Sequence, residues 1–101
     1  MTIENVAYTT REDDKDLNEL LNVMHNSHII FKACSFEFCM TKSFNNCQFI
    51  NCTFENVGDS TFNKCTFESP KFYEGFRGRF NDCTIDKYYG KVGESKNAKE
   101  F

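Results

Sequence analysis

Large apolar side chains return at fixed intervals along residues 29 to 85. Successive bulky residues are separated by two steps of five residues and one step of eight, so the pattern repeats every eighteen residues. Self-similarity at a fixed period of this length predicts a stack of equivalent units, each packed on its neighbours. The three series of bulky residues are Phe31, Phe49, Phe67 and Ile85; Phe36, Phe54 and Phe72; and Phe44, Phe62 and Phe80.

A small or thiol side chain lies two residues before most of these bulky positions. Cys47, Cys65 and Cys83 hold this place in one series, and Cys34 and Cys52 hold it in another. Side chains that alternate inward, outward and inward over three residues are typical of a β-strand and not of a helix. The stretch therefore predicts short strands stacked coil upon coil.

The five-residue unit of a small residue, a polar residue, a bulky apolar residue and two polar residues resembles the pentapeptide-repeat family. The segments that start at Cys47 and Cys52 are similar to the Cys-rich and Phe-rich members of that family. The resemblance implies a right-handed, four-sided β-solenoid with four five-residue units in each coil. Such a coil needs twenty residues, so the eighteen-residue period of this chain is a departure from the family pattern.

The shortage falls on one side of the predicted coil. After Phe54 the small position continues at Val57, but the bulky position that should follow is occupied by Asp59. One side is therefore either clipped or turned by a different corner, and the sequence leaves both alternatives open. The corresponding residues in the neighbouring coils are Cys39 and Thr41, and Gly75 and Arg77.

Before the repeats, the spacing of apolar residues becomes helical. Leu17, Leu20, Leu21 and Met24 form one apolar stripe, which predicts a helix over residues 12–25. We expect the stripe to cover the apolar end and the unpaired strand edges of the first coil. The alternative is an amphipathic helix offered to a partner.

These patterns predict a mainly β fold, a right-handed parallel β-solenoid of about three to four short coils with an N-terminal capping α-helix. We divide the 101 residues into an N-terminal segment and capping helix (1–28), the solenoid (29–89) and a flexible tail (90–101). The tail is assigned from its polar composition, which is typical of disordered segments.

Six cysteines invite a disulfide or metal hypothesis. Their short spacings follow the five-residue step of the repeat and not the close pairs of a zinc site. We expect free thiols that point into the coil, although vertical neighbours such as Cys47 and Cys65 lie within disulfide reach. His25 and His28 have no acids or cysteines at ligand spacing, so we predict no metal and no cofactor.

The formal net charge of −3, from 12 basic and 15 acidic residues, excludes a strongly basic nucleic-acid binder. The chain contains no long apolar run, and its first residues lack the pattern of a signal peptide, so we expect a cytoplasmic protein without membrane contact. No Ser-His-Asp set or phosphate-binding glycine loop is present, and a phenylalanine-filled interior leaves no cleft. We therefore predict that the protein is not an enzyme.

Outward side chains should carry any function, and acidic ones stack in two columns. The family that the chain resembles includes gyrase-inhibiting and quinolone-resistance proteins that imitate DNA. The resemblance therefore implies a small, phage-type inhibitor or DNA-mimic-like decoy. Its partner would be a DNA-binding enzyme or a host-defence complex, with no direct contact to nucleic acid. The candidate residues for this mimicry are Glu37, Glu55, Glu68, Glu74 and Asp86.

The alternative function is a structural or adaptor scaffold that docks a partner protein. Its contact would be the predicted helix or an exposed aromatic corner at Phe76, near the outward-facing Tyr73. At the far end of the rod, Tyr88 and Tyr89 are candidates for contact with a second copy, so we predict a homodimer. One further column, Asn45, Asn63 and Asn81, predicts a structural ladder of side-chain amides.

Overall fold

Short parallel strands dominate the protein. The computed structural model of the chain describes residues 1–9, 19–22, 28–38, 42–90, 95–96 and 99–100. The strands are β1 (Thr2–Glu4), β2 (Ala7–Thr9), β3 (Ile30–Lys32), β4 (Ser35–Glu37), β5 (Ser43–Asn45), β6 (Gln48–Ile50), β7 (Thr53–Glu55), β8 (Gly58–Asn63), β9 (Thr66–Glu68), β10 (Lys71–Phe72), β11 (Arg77–Asn81), β12 (Thr84–Asp86), β13 (Tyr89–Gly90), β14 (Ser95–Lys96) and β15 (Lys99–Glu100).

The strands form three parallel sheets that run up the solenoid. Sheet A has the order β1-β3-β6-β9-β12-β15, sheet B has the order β13-β10-β7-β4-β2, and sheet C has the order β14-β11-β8-β5. From β3 to β12, paired residues are one period apart, as Phe31 and Phe49 are, with one exception between β8 and β11. The predicted parallel β-solenoid with an eighteen-residue coil is confirmed.

The interior consists of stacked aromatic rings. In sheet A the ring centroids of Phe31 and Phe49 are 5.2 Å apart and nearly parallel, and those of Phe49 and Phe67 are 4.8 Å apart. Neighbouring columns meet edge to face, as Phe49 and Phe54 do at 5.3 Å. Aromatic pairs in these arrangements each contribute about 0.5 to 1.5 kcal/mol beyond the burial of their area. The columns predicted from the sequence therefore form the core.

The shortened side of the coil lies between sheets B and C. In the coil that contains β8 this side consists of Val57, Gly58 and Asp59, and the backbone of Asp59 has a φ of 48°. Other corner residues, such as Asn51 and Asn56, have similar positive φ values of 52° and 50°. Asp59 thus ends a three-residue side, so of the two alternatives the clipped side is the one found in this coil.

Corner residues adopt the left-handed conformation because their N–H groups reach the next coil. The N–H of Asn46 donates to the carbonyl of Asn63 at 2.9 Å, and the N–H of Asn51 donates to that of Glu68 at the same distance. Asparagine tolerates positive φ better than most residues, which accounts for its frequency at corners. Lys64 occupies such a corner at a φ of 52° without that tolerance.

The solenoid begins earlier than the sequence predicts. Ile3 pairs with Phe31 and Tyr8 with Phe36, so β1 and β2 form an additional partial coil within the predicted 1–28 segment. The offset of these pairs is 28 residues, ten more than the period, because residues 10–29, which include the helical residues 19–22, lie between β2 and β3. The eighteen-residue period did not predict this coil, because the coil has a tyrosine in place of a phenylalanine and an unequal spacing.

The described helical residues pack on the core. Residues 19–22 are helical, and Leu20 and Leu21 are partly buried against the aromatic columns. Leu17, Met24 and the remainder of the predicted helix over residues 12–25 lie outside the described residues. The described turn therefore contacts the core, and the cap over residues 12–25 stays a prediction.

The predicted tail differs from the structure where its residues are described. Gly90 lies in β13, which pairs with β10, while β14 and β15 pair with β11 and β12. The last coil offers unpaired backbone N–H and C=O groups at each sheet edge, and a polar segment can satisfy them without an apolar pattern. Composition alone therefore did not reveal these strands.

Candidate partner-binding surface

A surface cleft of about 470 Å³ lies at the end of sheet B, beside the turn that leads to β11. We call it the tyrosine cleft. The prediction that the protein has no cleft considered only the phenylalanine-filled interior. This cleft lies at the surface, outside the aromatic columns, so that prediction is corrected. The residues that line it are Phe72, Tyr73, Glu74, Gly75, Phe76, Tyr89 and Gly90.

A change of register creates the turn beside the cleft. Up to Phe72, which pairs with Phe54, the strands keep the eighteen-residue offset. One corner later Arg77 pairs with Gly58, so the offset has become nineteen residues. The shift occurs at Glu74, whose carbonyl accepts from the N–H of Asn56, eighteen residues earlier, whereas the corresponding bond at a regular corner spans seventeen residues, as from Asn51 to Glu68. Glu74 is the extra residue, and the eighteen-residue offset returns at Arg79, which pairs with Thr61.

Phe76 is buried, so the prediction that it faces outward is wrong. Its side chain is only 8% exposed, and its ring centroid lies 4.6 Å from that of Phe72 and 5.8 Å from that of Phe80. The physical reason is the register change, which places Phe76 over the inward-facing Val57, because a one-residue slip reverses the side of a strand on which a residue lies. Phe76 forms part of the cleft floor, not an exposed corner.

Two glycines permit this arrangement. Gly75 has a φ of 82°, and a Cβ at this position would collide with the side chain of Asn56. A Cβ on Gly78 would collide with the ring of Phe76 and would lie 2.9 Å from the ring of Phe62. The pair therefore allows the chain to turn sharply and the Phe76 ring to fold inward.

Two exposed tyrosines stand above this floor. Tyr73 is 43% exposed and Tyr89 is 64% exposed, and their ring centroids are 6.3 Å apart at an interplanar angle of 61°. Tyr88, which follows the corner at Lys87, is 38% exposed. Large aromatic side chains left in water at one place are typical of an interaction surface.

The cleft unites residues that the sequence assigned to different roles. Tyr73, Glu74 and Phe76 were predicted as partner contacts and Tyr89 as a dimer contact, and all four line the same space. The remaining lining residues were missed, since Phe72 was assigned to the core, Gly75 to a small position of the repeat and Gly90 to the flexible tail. The pairing of β10 with β13, which joins the two halves of the cleft, was hidden by the polar sequence that follows residue 89.

The other acidic candidates lie on two sheets. Glu37 pairs with Glu55 on sheet B, and Glu68 pairs with Asp86 on sheet A. Below Glu68, the same column of sheet A continues with Ile50 and Lys32, in place of further acids. The structure therefore brings these four acids together as two separate pairs, while the backbone of Glu74 lies beside Asn56, the residue after Glu55.

Buried thiols form their own hydrogen bonds within the coil. The Sγ of Cys52 donates to the carbonyl of Phe31 at 3.3 Å, and the Sγ of Cys83 donates to that of Phe62 at 3.0 Å. Burial raises the pKa of Cys52 to about 12 and also raises the pKa of Cys65, whereas a hydrogen bond with Cys65 lowers the pKa of Cys47. The five described cysteines are free and buried as predicted, and Cys39 lies outside the described residues.

The asparagine column has the predicted structural role. The Nδ2 of Asn63 donates to the Oδ1 of Asn45 at 2.9 Å, and the Nδ2 of Asn81 donates to the Oδ1 of Asn63 at 2.8 Å. The three side chains are half-buried along sheet C. The amide ladder is therefore confirmed, and it joins three successive coils.

Within the described ranges, no cluster of three or more His, Cys, Asp or Glu side chains is arranged to hold a metal ion. His28 lies 3.5 Å from the side-chain oxygen of Gln48, while His25 falls among the residues that are not described. In the same part of the chain, no helix has the length and apolar content needed to cross a bilayer.

Comparison with known proteins adds no relative to this description. No protein-family profile, no curated protein and no solved structure gives a significant match to the chain.

Proposed function

We propose that this chain is a non-catalytic protein-binding module that recognises its partner through the tyrosine cleft. The observation that supports this is the clustering of Tyr73, Tyr88 and Tyr89, which are three of the five large apolar residues exposed in the described part of the chain. Tyrosine is enriched among the residues that dominate binding energy at protein interfaces. The other two, Met1 and Val6, belong to the first coil, at the opposite end of the stack.

The scaffold beneath the cleft is, in this proposal, a right-handed pentapeptide-repeat solenoid with one clipped side. The five-residue unit supports the assignment, since Cys47 to Asn51, Cys52 to Asn56 and Ser60 to Lys64 each supply one side of a coil and end at a positive φ. The stacked core gives the cleft a rigid base, so little ordering is needed when a partner binds. A partner would therefore meet a preformed surface.

An affinity experiment with the full chain tests the proposal. The tagged protein and a Tyr73→Ser, Tyr89→Ser double variant are used to capture proteins from a host lysate, and bound proteins are compared by mass spectrometry. We expect a specific partner that the double variant fails to retain, because it lacks both exposed rings. Glu37→Gln is the matched surface control and should retain it. A partner held equally by the double variant, with an unchanged circular dichroism spectrum, would contradict the proposal.

A second candidate function is a phage-type inhibitor or DNA-mimic-like decoy of a DNA-binding enzyme or host-defence complex. The pairing of Glu37 with Glu55 and of Glu68 with Asp86 favours it, because each pair places two acidic residues on neighbouring strands, whose backbones lie about 4.8 Å apart. Neutralising all four as Gln or Asn should then abolish binding while the tyrosine variant binds normally. Retention of the partner by the neutralised protein would exclude mimicry.

We also propose a cytoplasmic location and a homodimer formed through Tyr88 and Tyr89. The exposure of both rings supports a self-contact, but a dimer that buries Tyr89 would also cover one wall of the tyrosine cleft. Sedimentation of the wild-type protein and of Tyr88→Ser separates the two uses. A monomer at tens of micromolar protein would exclude the dimer and leave the cleft open to another partner.

A further inference from the structure

The geometry points to a cation site: the tyrosine cleft receives an arginine or lysine side chain of a partner protein. This inference rests on the proposed function only in assigning the cation to a partner chain. Three features of the lining support it, namely its aromatic rings, its one carboxylate and the absence of a basic residue.

The aromatic rings supply the first attraction. Phe72 and Phe76 are almost fully buried and form an apolar floor, while Tyr73 and Tyr89 rise from it into solvent. The face of an aromatic ring carries negative partial charge, so a cation within about 6 Å of a ring centroid is attracted to it. The 6.3 Å separation of the two tyrosine centroids allows one cationic group to contact both rings.

Glu74 supplies the second attraction. It is the extra residue of the register change, and the turn presents it, exposed, at the cleft. Among the lining residues it is the single charged one, so the local charge is negative. A carboxylate accepts paired hydrogen bonds from a guanidinium and forms an ion pair with an ammonium group. Lys71, in register with Tyr89, lies outside the lining.

The size of the cleft suits a side chain more than a small ion. Its volume of about 470 Å³ is far larger than an ammonium group requires, and it falls in the range of sites that hold an organic group together with its apolar stem. Gly75 and Gly90 contribute no side chain that would fill the space. The methylene stem of arginine or lysine can therefore pack on Phe72 and Phe76 while its charge lies beside Tyr73, Tyr89 and Glu74.

The same features disfavour a phosphate or another anion. The cleft offers no basic side chain to pair with an anion, and Glu74 and the ring faces would repel it. A neutral apolar group would gain burial on the floor but nothing from the carboxylate. Charge therefore discriminates between the possible occupants, and the test uses charge as its variable.

The test is an NMR titration of the 15N-labelled full chain with N-acetyl-arginine amide and, separately, with N-acetyl-citrulline amide, its uncharged analogue. We expect the arginine compound to shift the amide signals of Tyr73, Gly75 and Gly90, and the citrulline compound to bind at least about threefold more weakly. Glu74→Gln and Tyr89→Leu should each weaken arginine binding by about threefold to tenfold. Glu4→Gln, a carboxylate on β1 at the opposite end of the stack, is the control and should change nothing.

Equal binding of the two compounds, or arginine shifts located elsewhere, would overturn the inference. The outcome is separable from that of the capture experiment. If a partner is captured through the tyrosines but the cleft binds the arginine and citrulline compounds equally, the protein-binding function is supported and the cation site is excluded. If arginine binds in the cleft but no such partner is captured, the cation site is supported and the proposed function is contradicted.

Discussion

The coil that contains β8 and the coil that contains β11 have the same length and the same order of sheets, but they turn differently from sheet B to sheet C. In the lower coil Asn56 makes the corner alone, and the additional residue falls later, beside Asp59. In the upper coil Glu74 is added before the corner at Gly75, and the strand that follows is shorter by one residue. The stack fixes the number of residues in a coil, whereas the position of a corner within the coil can move.

This shift changes what each coil presents to solvent. The lower corner buries the small Val57, and the upper corner buries the much larger ring of Phe76. The upper turn carries Glu74 at its exposed side and adjoins Tyr73 and Tyr89. The regular corner thus supports the stack. The corner at Glu74 and Gly75, which we call the displaced corner, forms the tyrosine cleft beside it.

Truncating a ring in the regular region should have the largest effect. Phe49→Ala removes a fully buried ring that stacks on Phe31 and Phe67, and we expect a loss of about 3 to 5 kcal/mol in the free energy of unfolding. Phe76→Ala should cost less, about 1 to 3 kcal/mol, because its cavity would open into the cleft. Urea denaturation of both variants measures the difference. Equal losses would show that the displaced corner is packed as tightly as the stack.

Adding a methyl group at the displaced corner should destabilise the protein through Phe76. Gly78→Ala places a Cβ against the Phe76 ring, with an expected loss of about 1 to 3 kcal/mol. In the background of Phe76→Ala the same change should cost much less, because most of the obstruction has been removed. A double-mutant cycle by urea denaturation gives this coupling directly. Additive losses would contradict the inward position of Phe76.

High pH should weaken the regular coils through their thiols. Burial raises the pKa of Cys52 from an ordinary 9.0 to about 12, so the neutral thiol is favoured in the folded state. Its contribution is complete below pH 9 and is lost as the pH rises from 9 towards 12, by up to about 1.4 kcal/mol per pH unit. Denaturation between pH 8 and pH 11 should show a shallower decline for Cys52→Ala, whereas a parallel decline would exclude Cys52 as a cause.

Breaking the amide ladder should have a smaller effect that depends on position. Asn63 has hydrogen bonds to both Asn45 and Asn81, while only the bond from Asn81 to Asn63 is lost in Asn81→Ala. We expect Asn63→Ala to cost about 2 kcal/mol and Asn81→Ala about 1 kcal/mol. Thermal unfolding followed by circular dichroism measures both. A larger loss at Asn81 would mean that the upper end depends on this residue for more than the ladder.

Replacing a strained corner residue should stabilise the protein slightly. Lys64 lies at a φ of 52°, at the corner that follows the same sheet as Asn46. Lys64→Asn introduces a residue that tolerates this conformation, with an expected gain of a few tenths of a kcal/mol. Lys71→Asn, on a strand, is the matched control and should give no gain. A loss at position 64 would show that the lysine side chain has a contact that offsets its backbone strain.

Periodicity predicted the part of the fold in which each coil repeats the one below. Phe31, Phe49 and Phe67 lie one period apart in the chain and in the stack, so their position follows from counting. Counting fails where the offset changes. Tyr8 lies 28 residues before its partner Phe36, and the offset of nineteen residues around Phe76 reverses the direction in which that side chain points.

The tyrosine cleft could be predicted only in fragments. Tyr73 and Glu74 were identifiable as exposed candidates, but their proximity to Tyr89 depends on the pairing of β10 with β13. Backbone hydrogen bonds hold that pairing, and the side chains of residues 89 and 90 leave no apolar period to reveal it. A glycine on each side of a phenylalanine, as at Gly75 and Gly78, is the one local signal of an irregular corner.

The most direct test of the displaced corner is a nuclear Overhauser experiment on protein with labelled phenylalanine rings. The account predicts cross-peaks between Phe49 and Phe67, whose centroids are 4.8 Å apart, and also between Phe76 and Phe72, whose centroids are 4.6 Å apart. Cross-peaks within the regular column but none from Phe76 to any core ring would contradict the account, because Phe76 would then lie in solvent and the cleft would have no floor.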